Sequence, residues 1–270
     1  LRQVDLQDIR IDLKDATAGL EKSVRIDEVA LRGSGPSEPL DVAISMESDG
    51  VFAVLNGILG APEAMLDPDL AWDVDIRGDV AGIAVDLAGK IDDPTDGSGI
   101  DLALSAEGPE LANVAKLALI DLPPVGAFKV KAKLNGDAGR RLSISGLDVN
   151  IGKPDFLSVM ANGTVADLVS ASGVQLQFAV AANDVARLSP LAERFAGQAI
   201  PPLGRLRLSG DLAGDAAAGN LALSGLNLEL GRADLVQTRI TGTVADLAGQ
   251  RVLILGAGGV LVHGHQHLHV

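Results

Sequence analysis

The chain has 270 residues, of which 47% are hydrophobic, enough for a substantial core in one large domain or two ordinary ones. Its 36 acidic residues outnumber its 22 basic residues, so the formal net charge is −14. Such a surface repels phosphate backbones and excludes nucleic acid as a partner, and the lack of cysteine excludes disulfides and thiolate chemistry.

Alternation of apolar and polar residues with a period of two dominates the chain and predicts β-strands. It is clearest at 100–105, 174–181 and 226–231. Each of these strands would turn one side to an apolar environment and the other to water. Turn sequences lie between the strands at short intervals, at 92–99, 135–139 and 213–220. Links this short predict antiparallel neighbours.

Two short helices are predicted between the strands. Residues 109–119, "PELANVAKLAL", carry apolar residues at helical spacing. Residues 184–196 do the same, with Asn183 or Asp184 as the N-cap. Pro190 is expected to divide this second helix into two turns, since proline disrupts a helix interior.

Several phrases occur twice in the chain. "SGLDVNIGKPDF" at 145–156 returns 79 positions later as "SGLNLELGRADL", "LPPVGAFKVKAKLNGD" at 122–137 returns 78 positions later as "IPPLGRLRLSGDLAGD", and "GTVADL" at 163–168 returns at 242–247. The recurrence predicts repeat units of about 75–79 residues. The units would span about 89–162 and 163–241, with a truncated third from 242.

The repeats define the predicted fold class: mainly β, an elongated and curved antiparallel sheet of repeated units with two short helices. Residues 1–250 would form this single elongated region. Residues 251–270 no longer follow the repeat and are assigned to an atypical C-terminal tail. The chain begins within a patterned segment, so we expect it to be part of a longer protein.

No motif predicts an enzyme, a cofactor or a metal site. "RVLILGAGGV" at 251–260 imitates a dinucleotide-binding loop, but Leu261 replaces its third glycine and too few residues follow for a helix. "DDPTDGSG" at 92–99 resembles a calcium loop, but Pro94 occupies a ligand position and Ala103 replaces the closing glutamate.

All four histidines lie near the C-terminus. In a strand they would share one face and suit Zn²⁺ or Ni²⁺, whereas a frayed or non-native terminus explains them without a ligand. The break in the repeat favours the second interpretation. The four are His263, His265, His267 and His269.

The apolar faces of the strands leave two interpretations open: a closed core, in which they cover one another, or an open groove that receives a ligand. Aliphatic side chains with few aromatic rings suit the acyl chains of lipids. The residues predicted to line such a groove are Leu102, Leu104, Val130, Leu134, Val149, Ile151, Val174, Leu176, Phe178, Leu206, Leu208, Leu226, Leu228 and Leu230.

The order of phrases over residues 1–250 resembles the AsmA family of bacterial envelope proteins. The phrases are "VDLQDIRIDLKDATAGLEKSVRIDEVALR" at 4–32, the segments within 70–117, "LPPVGAFKVKAKL" at 122–134 and "LSISGLDVNIGKPDFLSVMANGTV" at 142–165.

The resemblance implies a non-enzymatic periplasmic protein of Gram-negative bacteria. It further implies an inner-membrane anchor outside this chain and a groove that carries phospholipid between the inner and outer membranes. Outer- or inner-membrane envelope proteins would be partners. The alternative is a structural or interaction module with a closed β core that supports outer-membrane protein assembly.

Overall fold

The computed structural model describes residues 3–15, 20–48, 51–65, 67, 69–117, 122, 124–153, 155–189, 193, 203–231, 236–246 and 251–261. These residues form fifteen strands, one α-helix and two 3-10 helices. None of the helices among them is long and apolar enough to cross a membrane.

The strands have lengths of nine to thirteen residues. Their bounds are β1 Gln3–Asp15, β2 Leu20–Arg32, β3 Leu40–Ser48, β4 Val51–Leu59, β5 Trp72–Val80, β6 Ile83–Asp93, β7 Ser98–Gly108, β8 Phe128–Asp137, β9 Arg141–Lys153, β10 Leu157–Asp167, β11 Ser172–Ala182, β12 Arg205–Gly214, β13 Ala222–Gly231, β14 Val236–Asp246 and β15 Arg251–Leu261. The helices are α1 Leu111–Leu117 and the 3-10 helices Pro62–Met65 and Val185–Leu188.

Strands are hydrogen-bonded in chain order, each beside the one that precedes it. The pairs from β1 to β7 and from β10 to β15 are antiparallel. Short turns at 94–97, 138–140 and 216–219 connect neighbouring strands, where the turn sequences predicted them. The prediction of a mainly β, antiparallel fold is therefore confirmed.

Contacts divide the chain into two compact units. The first comprises 1–109 and 130–145, and the second comprises 110–129 and 146–270. In strands β3 to β7 of the first unit, alternate residues point to one face and are buried or half-buried there, because the pleat sends neighbouring side chains to opposite faces. Buried members of that face include Val42, Ala53, Val74, Ile83 and Leu102.

The second unit has a compact apolar cluster at one end of its strands. Val125, Leu157, Ala182 and Leu188 are its buried members. They come from the segment after α1, from β10, from β11 and from the 3-10 helix Val185–Leu188. The cluster therefore fixes both helical segments against the apolar face of the sheet.

One hydrogen bond recurs in the two units at nearly the offset of the repeated phrases. In the first unit the Gly99 N–H donates to Asp137 Oδ1 at 2.9 Å. In the second unit the Gly173 N–H donates to Asp215 Oδ1 at 2.7 Å. The two glycines are 74 positions apart and the two aspartates 78. Asp137 is the last residue of β8 and Asp215 directly follows β12, and each binds the second residue of another strand, β7 or β11.

The phrase "SGLNLELG" contains a β-bulge. The register of β13 shifts between Ser224 and Asn227 against β12 and between Leu223 and Leu226 against β14, and Gly225 has φ = 59°. The bulge adds one residue, so Leu223 and Leu226 face the same side although their spacing is odd. Gly146, at the equivalent place in "SGLDVNIG", has φ = 58°. The phrase recurs where the backbone needs a glycine.

The predicted helices are only partly observed. The helix predicted at 109–119 is confirmed as α1, with residues 118–121 outside the described part. In the second predicted segment, Val185–Leu188 forms a 3-10 turn whose N-cap is Asp184, and Ser189 and Glu193 are α-helical. Pro190 lies outside the described residues, as do 191–192 and 194–196. The 3-10 helix Pro62–Met65 was not predicted.

We expect Asp137→Ala and Asp215→Ala to lower the free energy of unfolding by about 1–2 kcal/mol each, because each leaves a partly buried glycine N–H without its charged acceptor. Asp96→Ala is the matched control. It removes only the exposed pair with Arg140 and should cost about 0–0.5 kcal/mol. Urea denaturation followed by circular dichroism measures all three, and equal costs for the three variants would contradict the proposed role.

Candidate functional site

The apolar face of the second unit consists of rows that run across neighbouring strands. Val180 of β11 pairs with Leu208 of β12, Leu208 with Leu228 of β13, and Leu228 with Ile240 of β14. Directly paired residues of an antiparallel sheet lie on the same face. The row therefore forms a continuous aliphatic band over four strands.

Other predicted lining residues occupy parallel rows on the same face. Their partners are aliphatic or small: Leu206 with Ala182 and Leu230, Leu176 with Gly163 and Leu212, Phe178 with Ala161 and Gly210, Val174 with Val165 and Gly214, and Leu226 with Gly242. Several large side chains therefore lie beside a glycine or an alanine. The face is thus uneven and aliphatic.

This apolar face is half-buried rather than buried. Val174, Leu176, Phe178, Leu208 and Leu228 all retain partial solvent exposure. Within the described residues, no large side chain of either unit falls below 2% exposure. A closed sandwich interior of this size contains fully buried leucines and valines. The observed exposure is typical of a face that is covered over part of its area.

One end of the face is covered. Ile151 and Leu206, both predicted to line a groove, pack against the buried cluster of Val125, Leu157, Ala182 and Leu188. Leu208, Leu228 and Leu176 do not belong to that cluster. The structure therefore separates the predicted residues into a covered end and a half-exposed stretch. The alternation of apolar and polar residues in the sequence could not predict this difference.

Glu110 holds the covering segment in place. Its Oε1 accepts hydrogen bonds from the N–H groups of Val125 at 2.8 Å, Gly126 at 2.9 Å and Ala112 at 3.3 Å. Burial raises the pKa of Glu110, but these three donors and the nearby Lys153 ammonium outweigh it, so its pKa lies below the usual value. The ionised carboxylate is the form that fixes the loop.

A glutamate with a lowered folded-state pKa contributes stability above its unfolded pKa and loses it as the pH falls. We therefore expect Glu110→Gln to destabilise the protein at pH 7, and the difference from the wild type to shrink as the pH falls below about 4.3, the ordinary pKa of glutamate. Thermal melts at several pH values measure this. A difference that stays constant down to pH 3 would contradict the assignment.

The first unit holds four of the predicted lining residues. Leu102 and Leu104 of β7 pair with Gly89 and Leu87 of β6, and Leu102 is only 9% exposed. The other two, Val130 and Leu134, are half-buried on β8. They share the alternation of the β8 strand with the buried Ala132. Val149, in β9 of the second unit, is also half-buried.

Two shallow cavities lie on the opposite, polar face of the second unit, and sequence reasoning did not identify them. One, of about 350 Å³, is lined by Met160, Arg207, Ser209, Asn227 and Glu229 among others. The other, of about 410 Å³, is lined by polar and apolar residues of β10, β11 and β12, including Asn162, Gln175, Leu176 and Asp211. Both are wide open to solvent.

The two motifs that resemble ligand-binding loops, at 92–99 and 251–260, have structural roles in the part of the chain that the structure describes. Asp93 Oδ1 accepts hydrogen bonds from the backbone N–H groups of Thr95 and Asp96, so 92–99 is a turn capped by this side chain. Residues 251–261, including the glycines of the motif, form strand β15, which pairs with β14. Among the described residues, no group of three histidines or carboxylates could hold a metal, and the four histidines lie outside them.

Comparison with family models gives no match, and neither curated proteins nor solved structures show significant similarity to the chain.

Proposed function

We propose that the apolar face of the sheet binds the acyl chains of phospholipids. The half-exposed aliphatic side chains of Leu208, Leu228 and Ile240, outside the buried cluster, are the observation that supports this most directly. Exposing such a band to water is unfavourable, by about 25 cal/mol per Å² of apolar surface. An apolar ligand removes that cost.

The chemistry of the lining favours a flexible aliphatic ligand. Leucine, valine and isoleucine offer no hydrogen bonds, and glycine or alanine beside them leaves room for methylene groups. Each methylene that leaves water contributes about 0.8 kcal/mol, so a chain of a dozen contributes about 10 kcal/mol before the cost of ordering. A polar metabolite would lose its hydrogen bonds with water on this surface.

The proposed context is the bacterial envelope. Non-enzymatic carriage of phospholipid between the inner and outer membranes, in an AsmA-like periplasmic protein anchored in the inner membrane, follows from the resemblance of phrases over residues 1–250. Recurrence of the Asp137 and Asp215 hydrogen bonds supports a fold of repeated units. An elongated groove built of such repeats is part of the proposal.

The second candidate is a structural module that supports outer-membrane protein assembly. The cluster around Val125 and Leu188 favours it, because this cluster covers one end of the apolar face without a ligand. If similar packing covered the remainder, no groove would exist. The two candidates therefore differ in whether Leu208 and Leu228 contact protein or lipid.

Native mass spectrometry of protein purified from membranes distinguishes the two. We expect phospholipid to remain bound to the wild type and to be displaced by added fatty acid. Protein that carries no phospholipid, and takes up none from vesicles in the same experiment, would support the closed module instead.

A further inference from the structure

Strand β4 is apolar on its buried side, and three of the four residues on its exposed side are apolar too, with Asn56 between Val54 and Ile58. Ala53, Leu55 and Leu59 point to the buried side of the first unit, as the alternation of burial along the strand shows. On the other side Phe52 is 61% exposed, Val54 50% and Ile58 49%. That second side is otherwise the polar face of this unit. The three residues, which we call the β4 stripe, have no counterpart on the neighbouring β5, whose exposed side chains are charged.

Carboxylates flank the β4 stripe on both sides. On β3, Glu47 pairs with Phe52 and Asp41 with Ile58. On β5, Asp79 pairs with Val54 and Asp75 with Ile58. Residues paired in this way have Cβ atoms about 4.5–5.5 Å apart on the same face. The stripe is thus an apolar ridge between two acidic rows.

The basic residue that lies closest to the β4 stripe in the strand register, Arg77, already forms ion pairs. Arg77 lies opposite Asn56, between the two ends of the stripe, and its Nε is 3.2 Å from Asp75 and 3.4 Å from Asp86. One strand further out on the other side, Arg25 and Arg32 of β2 lie opposite Glu47 and Asp41 in the register. Five carboxylates and three arginines leave this patch negative.

We propose that the β4 stripe is a docking surface for a cationic amphipathic helix of a partner protein. An incoming strand is excluded here, because β4 is hydrogen-bonded to β3 and β5 on its two sides. The stripe from Phe52 to Ile58 spans about 20 Å at 3.3 Å per residue, the length of about 13 helical residues.

The width of the patch also fits a helix. Strands lie about 4.8 Å apart, so the acidic rows on β3 and β5 are about 10 Å apart, close to the diameter of a helix with its side chains. Leucines along one face of the helix would contact the stripe, and lysines or arginines on its flanks would reach the carboxylates. An anionic lipid surface is disfavoured by the same carboxylates.

The probe is a fluorescent helical peptide of about 13 residues, with leucines on one face and lysines beside them, titrated with the full chain in an anisotropy assay. We expect saturable binding that weakens with salt, and none to the same peptide with glutamates for lysines. The combined variant Phe52→Thr, Val54→Thr and Ile58→Thr should bind at least tenfold more weakly. Glu47→Gln with Asp79→Asn should reduce both the affinity and its salt dependence.

Met160→Thr is the matched control. Met160 is 49% exposed on the polar face of the second unit, and its loss should leave peptide binding unchanged. Threonine suits an exposed strand position, so the combined variant should melt within a few degrees of the wild type. If it does not fold, Phe52→Thr alone should weaken binding at least threefold.

Three results would overturn the proposal. Equal peptide binding by the wild type and the combined variant would show that the stripe is not the docking surface. Flotation with vesicles of phosphatidylcholine and phosphatidylglycerol, lost in that variant, would identify a membrane surface. Self-association in sedimentation, lost in that variant, would identify a second copy of this chain.

Discussion

Leu228→Lys and Val149→Lys should each give a folded protein that no longer binds phospholipid. Leu228 and Val149 are half-buried on apolar strand faces, at equivalent places in the recurring phrase, 79 positions apart. On an open face, the lysine stem can lie along apolar neighbours while its ammonium reaches water. We expect a melting temperature within a few degrees of the wild type, and at least a tenfold loss of bound phospholipid in native mass spectrometry.

The covered end of the same face provides the control. Leu157 is 8% exposed within the cluster of Val125, Ala182 and Leu188. A lysine there would bury an unpaired charge, so Leu157→Lys should lose several kcal/mol and fail to fold or melt far below the wild type. The contrast between Leu157 and Leu228 tests whether the apolar face is covered at one place and open at the other.

Two outcomes would contradict the open groove. If Leu228→Lys and Val149→Lys are as unstable as Leu157→Lys, the face is closed and the structural module is favoured. If both fold and retain phospholipid at the wild-type level, these residues do not contact the ligand.

Local sequence was sufficient to predict the strands with the clearest alternation, β7, β11 and β13, and their faces. Strict alternation at 174–181 predicted which side of β11 is apolar, and the structure pairs Leu176 and Val180 with aliphatic residues. Alternation says which residues share a face but not what lies over that face. For this reason Ile151 and Leu206 were grouped with Leu208, although only the first two pack against the buried cluster.

The other differences between the prediction and the structure concern a very short helix and a strand that is apolar at nearly every position. "PEAM" at 62–65 is too short to show a helical period, so its 3-10 turn was not predicted. "VFAVLNGIL" at 51–59 is apolar at nearly every position, and periodicity cannot assign an exposed side to such a run. The β4 stripe could therefore be identified only from the structure, which shows which side of β4 is exposed.

Among substitutions of glycine by alanine in the second unit, Gly163→Ala should give one of the largest losses in the free energy of unfolding. Gly163 lies on the apolar face of β10, opposite Leu176, with φ = 152°. An added Cβ would meet the Gln175 carbonyl oxygen and would lie 2.9 Å from the Leu176 Cα, both backbone atoms of β11. The neighbouring strand cannot move away without breaking its ladder, so we expect a loss of about 3 kcal/mol or more.

Gly82→Ala separates this backbone contact from conformational strain. Gly82 has φ = 80°, but nothing lies within 4 Å of an added Cβ, so its replacement should cost only about 1–2 kcal/mol. Chemical denaturation measures both variants. Equal costs would mean that strain alone explains Gly163. A larger cost at Gly163 would show that the apolar face needs glycine there because the backbone of β11 approaches so closely.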